Sequence, residues 1–400
     1  MRIMWHSNAP WAPTGYGGQT ALVAPRLAQL GHDVAVSASW GLMGGVLNWE
    51  GVQVYPQGFH PYGMDIWGGH AQDFQADVMI SLLDAWVLEP ERLPEGCAWV
   101  PWFPVDMSPT PKPVLEKVQR AALPLTMSRF AYEQCAAEGL STFYVPHCYD
   151  PKRLYRDDDS RSAAREWFGA TDENFVVGIV AANKGGYPSR KSIPSMIAAF
   201  AQLASKEPGA LLYVHSHLGT EMGGVDIVAC CEDFGVVDRL RAVDQYRNHS
   251  GLLGHDFMRG VFNGIDVLCN VSMGEGFGIP ILEAQACGTP VIVGGWTAMN
   301  ELCWTGWKLD ADTESEPFYN PLRSFMFTPH VDAIADALIS AFAVARDAKL
   351  REEAEAGAIP YQVDHVIDTY WRPALDLVAE ATGRKPAAQE TIVSSLENVR

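Results

Sequence analysis

Two glutamates, Glu275 and Glu283, bracket a glycine-spaced segment, Gly274-Glu275-Gly276-Phe277-Gly278. The apolar run Ile265–Cys269 before it reads as a buried strand. Pro280 stands where a first helical residue tolerates a missing N–H. The helix is expected to run to about Ala286 and close at Gly288, with Val291–Val293 as the next strand. A strand, a glycine loop and a helix start together present backbone amides to an anion. A carboxylate beside phosphate would repel it, so Glu275 and Glu283 call for hydroxyl partners. A charge-assisted hydrogen bond to a hydroxyl contributes about 1.5–3 kcal/mol. A ligand with phosphates in its middle and a sugar at each end fits this arrangement, and that is a nucleotide-sugar.

The stretch Ser272–Ile292 resembles the E-x7-E signature of retaining GT-B glycosyltransferases of the family 4 type, also called glycosyltransferase group 1. The resemblance implies an α/β GT-B fold, two Rossmann-like doubly wound domains facing across a cleft. It implies that Glu275 contacts the transferred sugar and that the amides of Gly276, Phe277 and Gly278 lie at the sugar and phosphates. Glu283 then holds the ribose, and the backbone at Thr297 faces the donor. Relatives carry a basic residue at a strand end and a lysine further on, both clamping the donor diphosphate. Lys191 matches the second, and Lys184 or Arg190 supplies the first. Fixed cations there stabilise the charge growing on a departing nucleoside diphosphate. Near the N-terminus, Gly17-Gly18 matches a glycine pair set against that diphosphate. Leu30-Gly31-His32-Asp33-Val34 resembles the family's L-G-H-x-V, which makes His32 structural.

One departure stands out in Trp102-Phe103-Pro104-Val105-Asp106, where many relatives have a His-Asp pair. Val105 occupies the histidine position. Asp106 is then expected to contact the donor sugar or the acceptor hydroxyl, the other reading being a cap on the turn at Ser108-Pro109. The catalytic set expected from these matches is Glu275, Lys191 and Asp106. Pro146-His147-Cys148-Tyr149-Asp150 resembles the P-H-G-V-D that closes the first domain, so His147 reads as inter-domain. No metal or cofactor is implied. Asp157-Asp158-Asp159 and Asp310-Ala311-Asp312 read as solvated loop charges, and His215 with His217 lacks an evident third ligand.

These residues need a scaffold, and the rest of the chain outlines one. Arg2–Ser7 reads as a strand, Gln19–Leu30 as a helix and Val34–Val36 as a strand, the opening of a doubly wound domain. Further strands are expected at Val78–Leu82, Ala98–Phe103, Leu125–Met127 and Thr142–Val145, with Asp84, Asp106 and His147 beyond their carboxyl ends. The first domain is placed at residues 1–155 and the nucleotide-sugar domain at 156–365. A last helix, 366–381, is expected to return to the first domain through Tyr370 and Trp371, and 383–400 reads as a polar tail. The second domain opens with a strand at Phe175–Ala182, and a helix follows from about Ile193 to Ser205. Eight of the 13 tryptophans precede residue 103. Those in loops, Trp11, Trp40, Trp49 and Trp67, are candidates for the acceptor side. The loop-rich segment 41–76 resembles the family least.

Composition narrows the partners. A net charge of −19 disfavours bulk nucleic acid. The N-terminus lacks the apolar core of a signal peptide, no run approaches a membrane span, and the eight cysteines have no metal or disulfide spacing, which fits a cytoplasmic protein. The expected substrates are a nucleotide-sugar, such as a UDP- or GDP-sugar, and an acceptor hydroxyl on a glycan, lipid, protein or small molecule. Alternatives are a phage-type glycosyltransferase acting on modified DNA bases, a phosphorylase using pyridoxal, or a catalytically weak sugar-binding GT-B protein.

Overall fold

The computed structural model describes residues 1–384; most of the expected polar tail, 385–400, lies outside the described residues. The first sheet contains β1 (Arg2–Asn8), β2 (Asp33–Trp40), β3 (Leu47–Trp49), β4 (Val52–Tyr55), β5 (Val78–Leu82), β6 (Ala98–Phe103), β7 (Leu125–Thr126) and β8 (Phe143–Tyr144). Its order is β3-β4-β2-β1-β5-β6-β7-β8, and every pairing is parallel except β3 with β4. The helices of this lobe are α1 (Gly15–Gln29), α2 (Trp67–Asp73), α3 (Lys112–Val118) and α4 (Arg129–Ala137).

The second sheet contains β9 (Phe175–Val180), β10 (Ala210–His215), β11 (Leu240–Ala242), β12 (Val267–Asn270), β13 (Val291–Gly294) and β14 (Gly306–Leu309). It is wholly parallel, in the order β11-β10-β9-β12-β13-β14. Unbroken apolar runs such as β9 and β13 are buried along their whole length, as strands covered on both faces must be. Around it run α5 (Asp158–Phe168), α6 (Ile193–Lys206), α7 (Ile227–Asp233), α8 (Gln245–His249), α9 (His255–Gly264), α10 (Ile279–Ala286), α11 (Val331–Val344) and α12 (Ala348–Ala358). A separate antiparallel hairpin, β15 (Ser315–Tyr319) and β16 (Phe325–Pro329), follows β14.

The chain then returns to the first lobe through α13 (Val363–Val366), a π turn at Ile367–Trp371 and α14 (Arg372–Ala381). Trp371 is fully buried there, 5.6 Å from Trp5 and 5.0 Å from Trp102 between ring centroids. Gln19 binds the backbone of Cys148 from both ends of its amide, and Tyr149 pairs with Tyr361 and Val363. The two lobes therefore share one apolar core at this crossing.

Several local expectations need correction. The first helix begins at Gly15, because Thr14 accepts a hydrogen bond from the Gly17 amide and draws the glycines into the first turn. The strand before the glycine loop begins at Val267, after Asp266. Asp157-Asp158-Asp159 is no loop: Asp157 caps α5 and the other two occupy its first turn, where the helix dipole favours acids. Residues 41–76 hold β3, β4 and α2, strands too short and too interrupted by Gly and Asn to show periodicity. Trp67 is not a loop residue open to an acceptor; it is fully buried on α2, edge-on to His6 at 4.7 Å.

Candidate active site

Both glycine loops meet at the carboxyl edges of the two sheets. In the first lobe, Thr14 takes bonds from the Gly17 amide and from Asn8, which fixes the turn between β1 and α1. A Cβ at Gly17 would strike the Ala12 carbonyl, while Gly18 has open space beside it. A Cβ at Gly15 would lie 2.9 Å from Ile279 Cδ1, so this loop abuts the start of α10.

In the second lobe, Gly278 takes a φ of +102° and turns the chain into α10, a conformation that favours glycine. Gly274 and Gly276 are glycines for another reason. A side chain at Gly274 would collide with the Asp106 carbonyl, and one at Gly276 with Pro104. The glycine spacing thus lets the first lobe's strand-end backbone close against the loop, which the sequence pattern alone did not disclose.

At this meeting point the charged residues converge. Lys191 Nζ lies 2.5 Å from Glu275 Oε1, and Ser272 Oγ donates to the same oxygen at 2.6 Å. Arg190 donates to the Gly274 carbonyl at 2.6 Å and stands 3.5 Å from Asp106 and 3.6 Å from the second Glu275 oxygen. Burial pushes the Glu275 carboxyl up, but Lys191, Arg190 and Ser272 outweigh it and hold it below the usual range. Burial pulls the Lys191 ammonium down against the attraction of Glu275. Asp106 moves upward, burial prevailing over Arg190. Asp84 is accessible to solvent; crowding by the surrounding chain and the charge of Asp106 push its carboxyl up to about 6. The Tyr16 phenol is raised by burial and by Asp84, Asp106 and Glu275. Tyr16, Asp84 and Asp106 come from the first lobe; Arg190, Lys191 and Glu275 come from the second.

The remaining expected residues take distinct places. Lys184 is exposed and close enough to influence Asp84; it pairs by backbone with Gly223. Its neighbour Asn183 is buried and binds the backbone of His217, Gly219 and Val225, shaping the loop beside the cations. The Thr297 hydroxyl accepts from the Glu275 amide at 3.1 Å, so its side chain positions Glu275. Glu283 lies four residues after Ile279, on the same helix face. That face meets Gly15 of the first lobe. Burial alone pushes the Glu283 carboxyl up to about 8, and no hydrogen bond or ion pair among the described residues engages it. His147 is buried between Trp102 and Phe277, 4.4 and 5.0 Å away between ring centroids, and burial lowers its imidazole to about 3. Val105 is buried at the position where a histidine was expected.

Sequence reasoning missed Tyr16 and Glu301. The Glu301 carboxylate accepts the Arg129 and Phe130 amides at 2.9–3.2 Å and so caps α4 of the opposite lobe. No local pattern pairs residues 172 positions apart.

The unpaired Glu283 carboxyl sets a pH dependence. Its native pKa lies above the unfolded value, so the native state holds the extra proton between about pH 4.5 and 8. Stability of the ligand-free protein therefore declines as pH rises through that window. Glu283→Gln removes the decline: its melting temperature exceeds that of wild type by more at pH 8 than at pH 5. Parallel melting curves across that range would contradict the unpaired state of Glu283.

Residues 185–342 match the family model described as glycosyl transferases group 1. D-inositol 3-phosphate glycosyltransferase of Actinosynnema mirum is 30% identical over 169 residues, covering 40% of this chain and 37% of that protein. The enzyme of the same name from Segniliparus rotundus is 28% identical over 201 residues, covering 46% and 41%. The chain thus spans about two fifths of the length of these curated relatives. Sucrose-phosphate synthase from Thermosynechococcus elongatus superposes with a TM-score of 0.72 at 15% identity, over 95% of this chain and 100% of that one. HepE from Anabaena, solved in complex with UDP-glucose, gives 0.69 at 16% identity over 96% and 99%. The fold is GT-B. Its second lobe carries a segment that matches the group 1 glycosyltransferase model.

Proposed function

We propose that this chain is a retaining glycosyltransferase that moves a sugar from a nucleoside-diphosphate sugar to an acceptor hydroxyl. The observation that carries this reading is the Arg190–Lys191–Glu275 cluster, set where both lobes' strand ends meet. Two cations gathered beside a helix start suit a diphosphate. In the ligand-free protein they are balanced by Glu275 and Asp106. An incoming diphosphate replaces that balance, leaving Glu275 to orient the sugar hydroxyls. Glu283, desolvated and without a partner, takes the ribose hydroxyls. Gly17, Gly18 and the amides of Gly276, Phe277 and Gly278 line the phosphate and sugar. Lys184 and Arg190 supply the further positive charge.

In the transfer step, the acceptor oxygen bonds to the anomeric carbon as the bond to the diphosphate oxygen breaks. Lys191 and Arg190 stabilise the leaving diphosphate. The acceptor proton passes to the departing phosphate oxygen on the same face, so configuration is kept without a covalent intermediate. Asp106, held near Arg190, contacts the acceptor or donor hydroxyl in place of the absent histidine. The protein cations balance the diphosphate without a metal.

Titration calorimetry with UDP-glucose and GDP-mannose tests the reading. One of these donors binds wild type, equally well with EDTA, and Glu283→Ala weakens it about 10- to 100-fold through loss of one desolvated hydrogen-bonding group. Unchanged affinity would refute the ribose assignment. No helix among the described residues is long and apolar enough to cross a membrane, and all eight cysteines are free thiols. Free thiols suit a reducing compartment, and we place the reaction in the cytoplasm.

A further inference from the structure

We propose that Trp11, Trp40 and Trp86 form a stacking platform that admits an uncharged carbohydrate as the acceptor. The inference rests on the glycosyltransferase reading and names the chemical class of its second substrate. Strands β2, β1 and β5 are consecutive neighbours in the first sheet. Trp40 ends β2, Trp11 lies in the loop after β1, and Trp86 follows β5 in the short turn Ala85–Val87. Adjacent strands stand about 4.8 Å apart, so these three ends span roughly 10 Å of rim. Asp84 is two residues before Trp86, and Asp106 follows β6, the next strand over. Asp84 and Asp106 therefore continue the same strand-end rim toward the opposite lobe.

All three are solvent-exposed, at 40%, 47% and 43%. An exposed indole is a large apolar surface left in water. Trp11 is also held in place: its Nε1 donates to the Gly41 carbonyl at 2.7 Å. Gly41, at φ +104°, packs so closely on Ala9 and Ala12 that a Cβ there would lie 3.0 and 3.3 Å from theirs. An anchored ring offers a flat apolar face at little entropic cost. The C–H face of a pyranose matches such a surface, and its hydroxyls match Asp84 and Asp106.

Charge decides between occupants. Between residues 27 and 91 the chain has no Lys or Arg, while Asp65 and Asp84 follow the carboxyl ends of β4 and β5. The cations near the rim, Lys184 and Arg190, belong to the opposite lobe and face Asp84 and Asp106. Such a rim repels phosphorylated or sulfated acceptors and anionic bilayers, which basic residues attract. The neutral sugar face is the occupant that both the indoles and the charge accept.

The test is an array of neutral, sialylated and sulfated oligosaccharides probed with the full chain in the presence of UDP. Co-sedimentation with vesicles of phosphatidylcholine and phosphatidylglycerol runs beside it. Wild type retains neutral glycans selectively. Trp40→Ala and Trp86→Ala each weaken retention about tenfold, and Trp40→Phe, which keeps a stacking ring, restores most of it. Melting curves establish that each variant is folded. Selective retention of acidic glycans, Trp-dependent vesicle binding, or equal retention by the alanine variants would each overturn the platform. Calorimetry of wild type with nucleotide-sugars separates the two readings: donor binding without neutral-glycan retention sinks the platform alone, and absence of donor binding sinks the transferase reading.

Discussion

Lys191→Met lowers sugar-transfer turnover by roughly 10²- to 10³-fold, the scale on which removal of one preorganised charge-stabilising donor acts. Lys191 is the cation nearest Glu275, and in the proposed reaction it contributes its stabilisation as the diphosphate departs. Removing it also leaves a buried carboxylate short of one partner, a loss softened by Arg190 at 3.6 Å and Ser272 at 2.6 Å. Some loss of melting temperature accompanies the loss of rate, so the single variant confounds folding with chemistry. Single-turnover rates normalised to the folded fraction separate them. Wild-type turnover per folded molecule in Lys191→Met would show that Lys191 serves the fold alone.

The largest stability effect is expected far from the cleft. Asp266 has no exposed side-chain surface, and Arg161, Arg165 and Arg346 approach it at 2.7, 3.2 and 3.1 Å. It also accepts the Val176 amide at 2.8 Å, joining β9 to the entry of β12. Burial raises its carboxyl, but the hydrogen bond from Arg346 and the charges of the arginines outweigh that and keep it low. Asp266→Ala strands the buried Arg165 guanidinium, at a cost of about 3–5 kcal/mol. For a lobe of this size that corresponds to a drop of roughly 6–20 °C in melting temperature. A depressed carboxylate contributes above its unfolded pKa and loses that contribution as pH falls through the folded one. The gap between wild type and Asp266→Asn therefore narrows below about pH 4. Scanning calorimetry from pH 3 to 7 measures both, and a constant gap would show that the charge on Asp266 is not what holds these arginines.

The strand–loop–helix around Glu275 was legible because its signals are local: an apolar run, a positive-φ glycine, a proline at the helix start. Lys191 was legible because it sits in a strand-to-helix loop of the same kind. What escaped is contact between distant segments. Gly274 and Gly276 look like phosphate-loop glycines, yet their missing side chains also make room for Pro104 and Asp106 of the other lobe. Glu301 carries no signal of its own in the sequence, and it caps α4 across the cleft. Trp67 looked like a loop indole because α2 is only seven residues long and two glycines interrupt it. Hairpin β15–β16 gave no clear alternation, since its strands face the other lobe and a small methionine cluster, Met107, Met273 and Met326. In each case the deciding partner lies far along the chain, where periodicity has no reach.

That hairpin has a mechanical consequence. Phe325 exchanges two backbone hydrogen bonds with Ser108 of the first lobe, at 3.0 and 2.7 Å, and Asn320 donates to the Met107 sulfur. A wide gape of the lobes must rupture this seam. The Glu301 carboxylate on the Arg129 and Phe130 amides is a second latch between the same lobes. Drawing the lobes apart therefore costs both latches at once.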